Sequence, residues 1–283
     1  MKEKIINNNG LHICTESFGN PASPALLLIM GATASMVWWE DDFCLRLADE
    51  GRYVIRYDNR DVGCSISYPL GEPGYTFEDM ADDAIHVLDA YGINQAHIAG
   101  MSMGGMITQI IALRHPQRVL STTLISTSNY APELPPMDEE VMSFFTNIGA
   151  VDWENEQSVI SYTIAKWRIL TGPKYPFDEE RITRLATIEA KRAVNLASMN
   201  NHSFVTGGET YLERTKEINL PTLVIHGTED PINPYKHGVY LAKIIPNAAF
   251  LSLEGTGHEL PPGDWDLVIN AISSHTAESG RIS

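Results

Sequence analysis

Gly100-Met101-Ser102-Met103-Gly104-Gly105 carries the densest chemical signal in this chain of 283 residues. A G-x-S-x-G match alone arises by chance in roughly one protein in ten at ordinary glycine and serine usage. Its setting here is more specific. A short strand pattern, Ala96-His97-Ile98-Ala99, precedes it, and a helical pattern through Ile107, Ile110, Ile111 and Leu113 follows. A serine on so sharp a strand-to-helix turn has strained backbone angles that lift its hydroxyl above the sheet, and flanking glycines relieve the crowding. A hydroxyl is a poor nucleophile at neutral pH, so a base and an orienting acid must accompany it. Asp230, in His226-Gly227-Thr228-Glu229-Asp230-Pro231, directly follows a strand pattern at 221–226. His258, in Glu254-Gly255-Thr256-Gly257-His258-Glu259, directly follows the last strand pattern. Both are therefore expected at carboxyl ends of strands, the edge where open α/β sheets collect their chemistry. The expected catalytic set is Ser102 as nucleophile, His258 as base and Asp230 as its orienting acid. Glu229 is the rival acid, but Asp230 stands before Pro231 at the loop apex. His202 is read as a surface histidine or a substrate contact.

A tetrahedral intermediate needs two donors aimed at its oxygen. The Met103 amide, one residue past the nucleophile, is one. The Ala32 amide, in Met30-Gly31-Ala32-Thr33 after the apolar run 25–30, is the expected second, with Gly31 letting the backbone approach.

The elements that must position these groups alternate in type. Leu26-Leu27-Leu28-Ile29, Tyr53-Val54-Ile55-Arg56-Tyr57, Ala96–Ala99 and Val119–Ile125 read as strands, and Phe77–Tyr91 as a helix with apolar residues at helical spacing. Such alternation predicts an α/β fold with a mostly parallel sheet and helices on both faces. From Tyr130 the alternation stops. Only helix-like segments follow, at Met142–Ile148, Gln157–Leu170 and Phe177–Leu196, until strands return at Pro221–Ile225 and Ala248–Leu253. The expected organisation is a core in two parts, 1–129 and 216–283, with a helical cap at 130–215 inserted between them. Most cap aromatics are expected to bury the cap on the core. Gly31, Met142, Phe144 and Trp167 are the candidate substrate contacts.

Composition narrows the partners. Lys plus Arg total 20 against 36 Asp plus Glu, a net charge of −16. That sign repels nucleic-acid phosphates and anionic membrane surfaces, so a small molecule is the expected partner of a monomer or homodimer. The three cysteines, Cys14, Cys44 and Cys64, form no C-x-x-C pair, and the histidines have no metal-ligand spacing, so no metal is expected. The first residues lack an apolar signal segment and no apolar run approaches the ~20 residues of a membrane span. A cytoplasmic location is the expectation.

On Met30-Gly31, Tyr57-Asp58-Asn59-Arg60-Asp61-Val62-Gly63-Cys64-Ser65, the serine turn and Gly257-His258, the chain resembles the α/β-hydrolase fold outside its cap. Two positions depart from that pattern. Met30 replaces the histidine usual before the oxyanion glycine, and Asp61 the glycine usual after the loop arginine. With Lys166-Trp167-Arg168-Ile169-Leu170, these departures resemble the aclacinomycin methylesterase branch. Within that neighbourhood the chain is most similar to the serine-dependent macrolide esterases. The resemblance implies a cofactor-free serine esterase that opens the lactone of tylosin-type antibiotics through an acyl-enzyme and so confers resistance. Its rivals are a methylesterase of anthracycline-type glycosides, a general small-ester esterase, and a ligand receptor with a silent triad.

Overall fold

The computed structural model describes residues 3–8, 10–147, 149 and 151–279. Its frame is an eight-stranded sheet of β1 (Lys4–Asn8), β2 (Leu11–Phe18), β3 (Ala25–Ile29), β4 (Tyr53–Tyr57), β5 (Ala96–Met101), β6 (Val119–Ile125), β7 (Thr222–Gly227) and β8 (Ala249–Leu253). The strands lie in the order β1-β2-β4-β3-β5-β6-β7-β8. β1 and β2 pair antiparallel, as do β2 and β4, and every other neighbour is parallel. The α/β expectation is met. The antiparallel pair at the edge was not foreseen, because its strands are polar and half exposed along β1 and carry none of the continuous apolar run that marks β3.

That run follows from the pleat. Alternate side chains of a strand face opposite sides, so β3 serves two cores at once. Leu26 and Leu28 pack with Trp39, Phe43, Val268 and Ile272 on one face. Leu27 and Ile29 pack with Met80, Ile107 and Ile110 on the other. The covering helices are α1 (Asp41–Asp49), α2 (Phe77–Ala90), α3 (Met103–Arg114), and, later in the chain, α8 (Lys236–Ile244) and α9 (Trp265–Ser279). Thr76 caps α2 reciprocally with Asp79, which pins where that helix begins.

Between β6 and β7 the chain is helical, with α4 (Glu139–Thr146), α5 (Glu156–Leu170), α6 (Glu179–Arg192), a 3-10 turn at Ser198–Ser203 and α7 (Glu209–Leu212). α4 begins three residues before the helix read from sequence, and Ile148, the expected end, lies outside the described residues. Trp167 of α5 packs against Trp38 with ring centroids 4.4 Å apart, joining this segment to the sheet's loops.

Close approach at β3, β5 and α3 is enforced by glycine. A Cβ on Gly104 would stand 2.1 Å from the Ile29 carbonyl oxygen, and one on Gly100 would stand 2.0 Å from that of Gly104. Gly104→Ala is therefore expected to cost on the order of 3 kcal/mol in urea unfolding, because backbone rather than a flexible side chain must yield. A second expectation concerns His97 on β5, whose Nδ1 lies 2.8 Å from Ser121 Oγ. Burial, helped by Arg52 and His275, pushes its pKa down to about 4. The folded ring stays neutral while the unfolded one takes a proton below about pH 6.5, so this histidine makes stability fall on acidification. Relative to His97→Asn, the wild type should lose about 1.4 kcal/mol of its unfolding free energy per pH unit between those two values. A pH-independent difference would refute the assignment.

Candidate active site

Ser102 sits between β5 and α3 with φ +54° and ψ −121°, a region that ordinary side chains enter only under constraint. The constraint is visible on both sides of the residue. Its N–H donates to the Ile125 carbonyl at 2.9 Å, and its own carbonyl accepts from Thr127 Oγ1 at 2.7 Å. β5 and β6 thus hold the backbone while the hydroxyl is left on the outside of the turn. Met103 opens α3, where the first amides have no intrahelical acceptor and the helix dipole is positive. Gly31 presses against the serine from β3: a Cβ there would meet Ser102 Cβ at 3.0 Å.

Asp230 and His258 come from the loops after β7 and β8. Asp230 is buried and Glu229 exposed, which separates the two rival acids. Asp230 Oδ1 accepts the Ile232 and Asn233 amides, each at 2.9 Å. His258 Nδ1 stands 2.8 Å from Oδ2. Burial pushes the Asp230 carboxyl up, but the His258 imidazole, His226 and the Asn233 amide outweigh it and hold the pKa below the usual value. An ionised carboxylate only accepts, so Nδ1 of His258 carries the proton and Nε2 of the neutral ring keeps its lone pair. The His258 amide donates to the Leu170 carbonyl at 2.8 Å. Glu259 accepts the Gly172 amide at 3.0 Å and the Thr171 hydroxyl at 3.2 Å, so the end of α5 is tied to the histidine loop.

Ser102 and His258 open on one cavity of about 730 Å³, whose wall also includes Gly31, Ala32 and Met103. The five residues expected to share the chemistry are therefore brought together. Of the candidate substrate contacts, Gly31, Met142 and Trp167 line the cavity and Phe144 does not. Phe144 instead stacks on Tyr162 with centroids 5.3 Å apart. Its neighbour Phe145, about a quarter-turn further around the helix, reaches the cavity. Sequence reasoning missed Met30, Met101, Met106 and Met137 in the wall; unbranched thioethers in unrelated segments leave no periodic trace. His202 departs from the surface reading: it is buried at 5% exposure, on the cavity wall.

Asp61, which stands where the fold usually has glycine, adopts φ +69°. Its carboxylate accepts the Tyr68 amide and the Tyr75 hydroxyl, both at 2.7 Å, which offsets the strained backbone. Among the described residues one grouping has metal-ligand types in reach of one another, Glu3, Cys14 and Cys64. Arg192 donates to both Glu3 and Cys14, and burial pushes the Cys14 thiol up. A guanidinium beside protonated thiols is a poor cation site. No helix among the described residues is long and apolar enough to cross a membrane.

Comparison with known proteins agrees with this architecture. Residues 24–149 match the family described as alpha/beta hydrolase fold, and residues 198–265 match that described as TAP-like protein. The chain is 30% identical to rhodomycin D methylesterase DauP of Streptomyces sp. strain C5, covering 98% of each chain. It is equally similar to rhodomycin D methylesterase DnrP of Streptomyces peucetius, at 30% identity and 98% coverage of each. Among solved structures it superposes on the enol-lactonase from Burkholderia xenovorans LB400 with a TM-score of 0.77 at 19% identity, covering 97% of this chain and 100% of that one. With full-length kinship at this level and the same sheet beneath the serine turn, the chain belongs to the α/β-hydrolase family.

Proposed function

We propose that the protein is a serine carboxylic-ester hydrolase acting on bulky polyketide esters. The observation that carries the reading is a left-handed Ser102 and a His258–Asp230 pair opening on a single apolar cavity. His258 Nε2 takes the Ser102 proton as the oxygen attacks the ester carbonyl. The Ala32 and Met103 amides hold the resulting oxyanion. His258 then gives its proton to the departing alcohol oxygen, leaving an acyl group on Ser102. Water, deprotonated by the same ring, releases the acid and restores the serine.

The substrate class rests on the cavity wall and on the relatives. Methionine and aromatic side chains from the sheet edge and from α4 and α5 line a space large enough for a drug-sized ligand. The relatives at 30% identity are named as methylesterases of rhodomycin D, which favours a methyl ester on a glycosylated aromatic polyketide. Lactone opening of a macrolide, the reaction implied by the sequence resemblance, is the second reading. The methionines of the wall suit it, since their flexible side chains adapt to a puckered aliphatic ring.

Mass spectrometry separates the two. Cleavage of an anthracycline methyl ester releases methanol, whereas macrolactone opening gives one product equal to the parent plus water. A fluorophosphonate probe is expected to label the wild type and not Ser102→Ala, and Ser102→Ala is expected to lose turnover. Asp230→Asn should lower kcat by on the order of 10⁴, because an amide at that position favours the wrong tautomer of His258. A probe that leaves wild-type Ser102 untouched would replace the hydrolase reading with that of a ligand receptor.

A further inference from the structure

Thr33 follows Ala32, whose amide the mechanism aims at the oxyanion. It is β-branched and adopts φ +56°, a conformation that costs on the order of 1–3 kcal/mol unless its surroundings impose it. Each of its three polar atoms is held by a side chain from the helical segment between β6 and β7. Its N–H donates to His202 Nδ1 at 2.9 Å. Its carbonyl oxygen and its hydroxyl oxygen lie 3.1 and 3.2 Å from Lys166 Nζ.

Both holding groups are built for that task rather than for packing. His202 Nε2 lies 2.8 Å from the Arg60 carbonyl, which can only accept, so Nε2 carries the proton and Nδ1 is bare to receive the Thr33 amide. Lys166 is 3% exposed. A buried ammonium costs several kcal/mol of desolvation, which an apolar side chain filling the same space would avoid. Glu189 of α6 adds a grip further along the loop, accepting the Ser35 amide at 2.7 Å and Trp38 Nε1 at 2.8 Å. The sheet side holds only the flanks, through Asn59 on the Met30 carbonyl at 3.0 Å and Asp58 on the Met36 amide at 2.8 Å.

We propose that His202 and Lys166 are positioning residues that clamp Thr33 in its left-handed conformation and thereby aim the Ala32 amide at the oxyanion, making the cap's seating a condition for catalysis. The proposal rests on the hydrolase reading of Ser102. It assigns the clamp to the chemical step rather than to substrate recognition, so it acts on an ester too small to span the cavity.

The test uses p-nitrophenyl acetate with wild type, Ser102→Ala, Lys166→Met, His202→Leu and His202→Gln. Lys166→Met and His202→Leu are each expected to lower kcat by ~10- to 100-fold, a fraction of what outright loss of an oxyanion donor costs, with KM within about threefold of wild type. His202→Gln should regain most of that kcat, because the oxygen and nitrogen of an amide can replace an acceptor and a donor of the ring. End-point fluorophosphonate labelling at one per chain in these variants shows that the reactive serine is intact, while its rate of labelling falls with kcat. Wild-type kcat in Lys166→Met overturns the clamp even if His202→Leu does not fold, and so does a glutamine variant as impaired as leucine with full labelling. Hydrolysis surviving in Ser102→Ala would instead overturn the hydrolase reading beneath it.

Discussion

The constraint on which the site depends is steric: three stretches of backbone converge around Ser102 more closely than side chains allow. Gly31, just past β3, lies against the serine, α3 packs Gly104 on the Ile29 carbonyl, and Gly100 lies under the Gly104 carbonyl. The serine's own angles are unfavourable, and the hydrogen bonds to Ile125 and Thr127 together with sheet burial hold them. Strain of this sort is confined to short, well-anchored turns because the surrounding structure must over-determine it. The same crowding brings Ala32 and Met103 to the wall of the cavity that Ser102 lines.

A second set of contacts ties the helical segment to the chemistry. The His258 loop hangs from the end of α5 through the Leu170 carbonyl and through Glu259. The loop after β3 is gripped through Thr33, Ser35 and Trp38. The segment that lines the cavity therefore also supports both the proposed base and the proposed oxyanion donor. Burial keeps His202, His226 and His237 below the usual histidine pKa. His202 and His237 each bridge two partners and His226 donates to the Asn233 carbonyl, whereas His258 hydrogen-bonds the Asp230 carboxylate. One residue type thus plays two parts according to its partner.

Substrate identity draws on different observations from the reaction type. Attack on an ester carbonyl needs only the nucleophile, the base and the two amides, and those are indifferent to whether the alcohol is methanol or the far end of the same molecule. The difference between methyl ester and lactone must lie in the wall of the cavity. Met142, Phe145 and Trp167 come from that wall's helical side, and Trp167 serves packing on Trp38 as well. An expectation of macrolide specificity drawn from overall resemblance had no access to this surface, and the relatives at 30% identity are named as methylesterases of rhodomycin D.

The chain's linear order carried the parallel sheet, the serine turn and the placement of Asp230 and His258 after β7 and β8, because each rests on local rules: apolar runs for buried strands, glycine where the backbone crowds, and loops at strand ends. β1 and β2 were not legible: β1 is polar and mostly exposed, and in the largely buried β2 the polar Thr15, Glu16 and Ser17 interrupt any apolar run. The orientation of Phe144 and the burial of His202 were not legible for a related reason. Which way one aromatic on α4 turns, and whether a histidine in a polar stretch is buried, depend on segments more than a hundred residues away in the case of His202 and Thr33. Tertiary structure alone decided the wall of the cavity and the grip of Lys166 and His202 on Thr33, because hydrogen bonds between distant segments obey no spacing that a sequence can display.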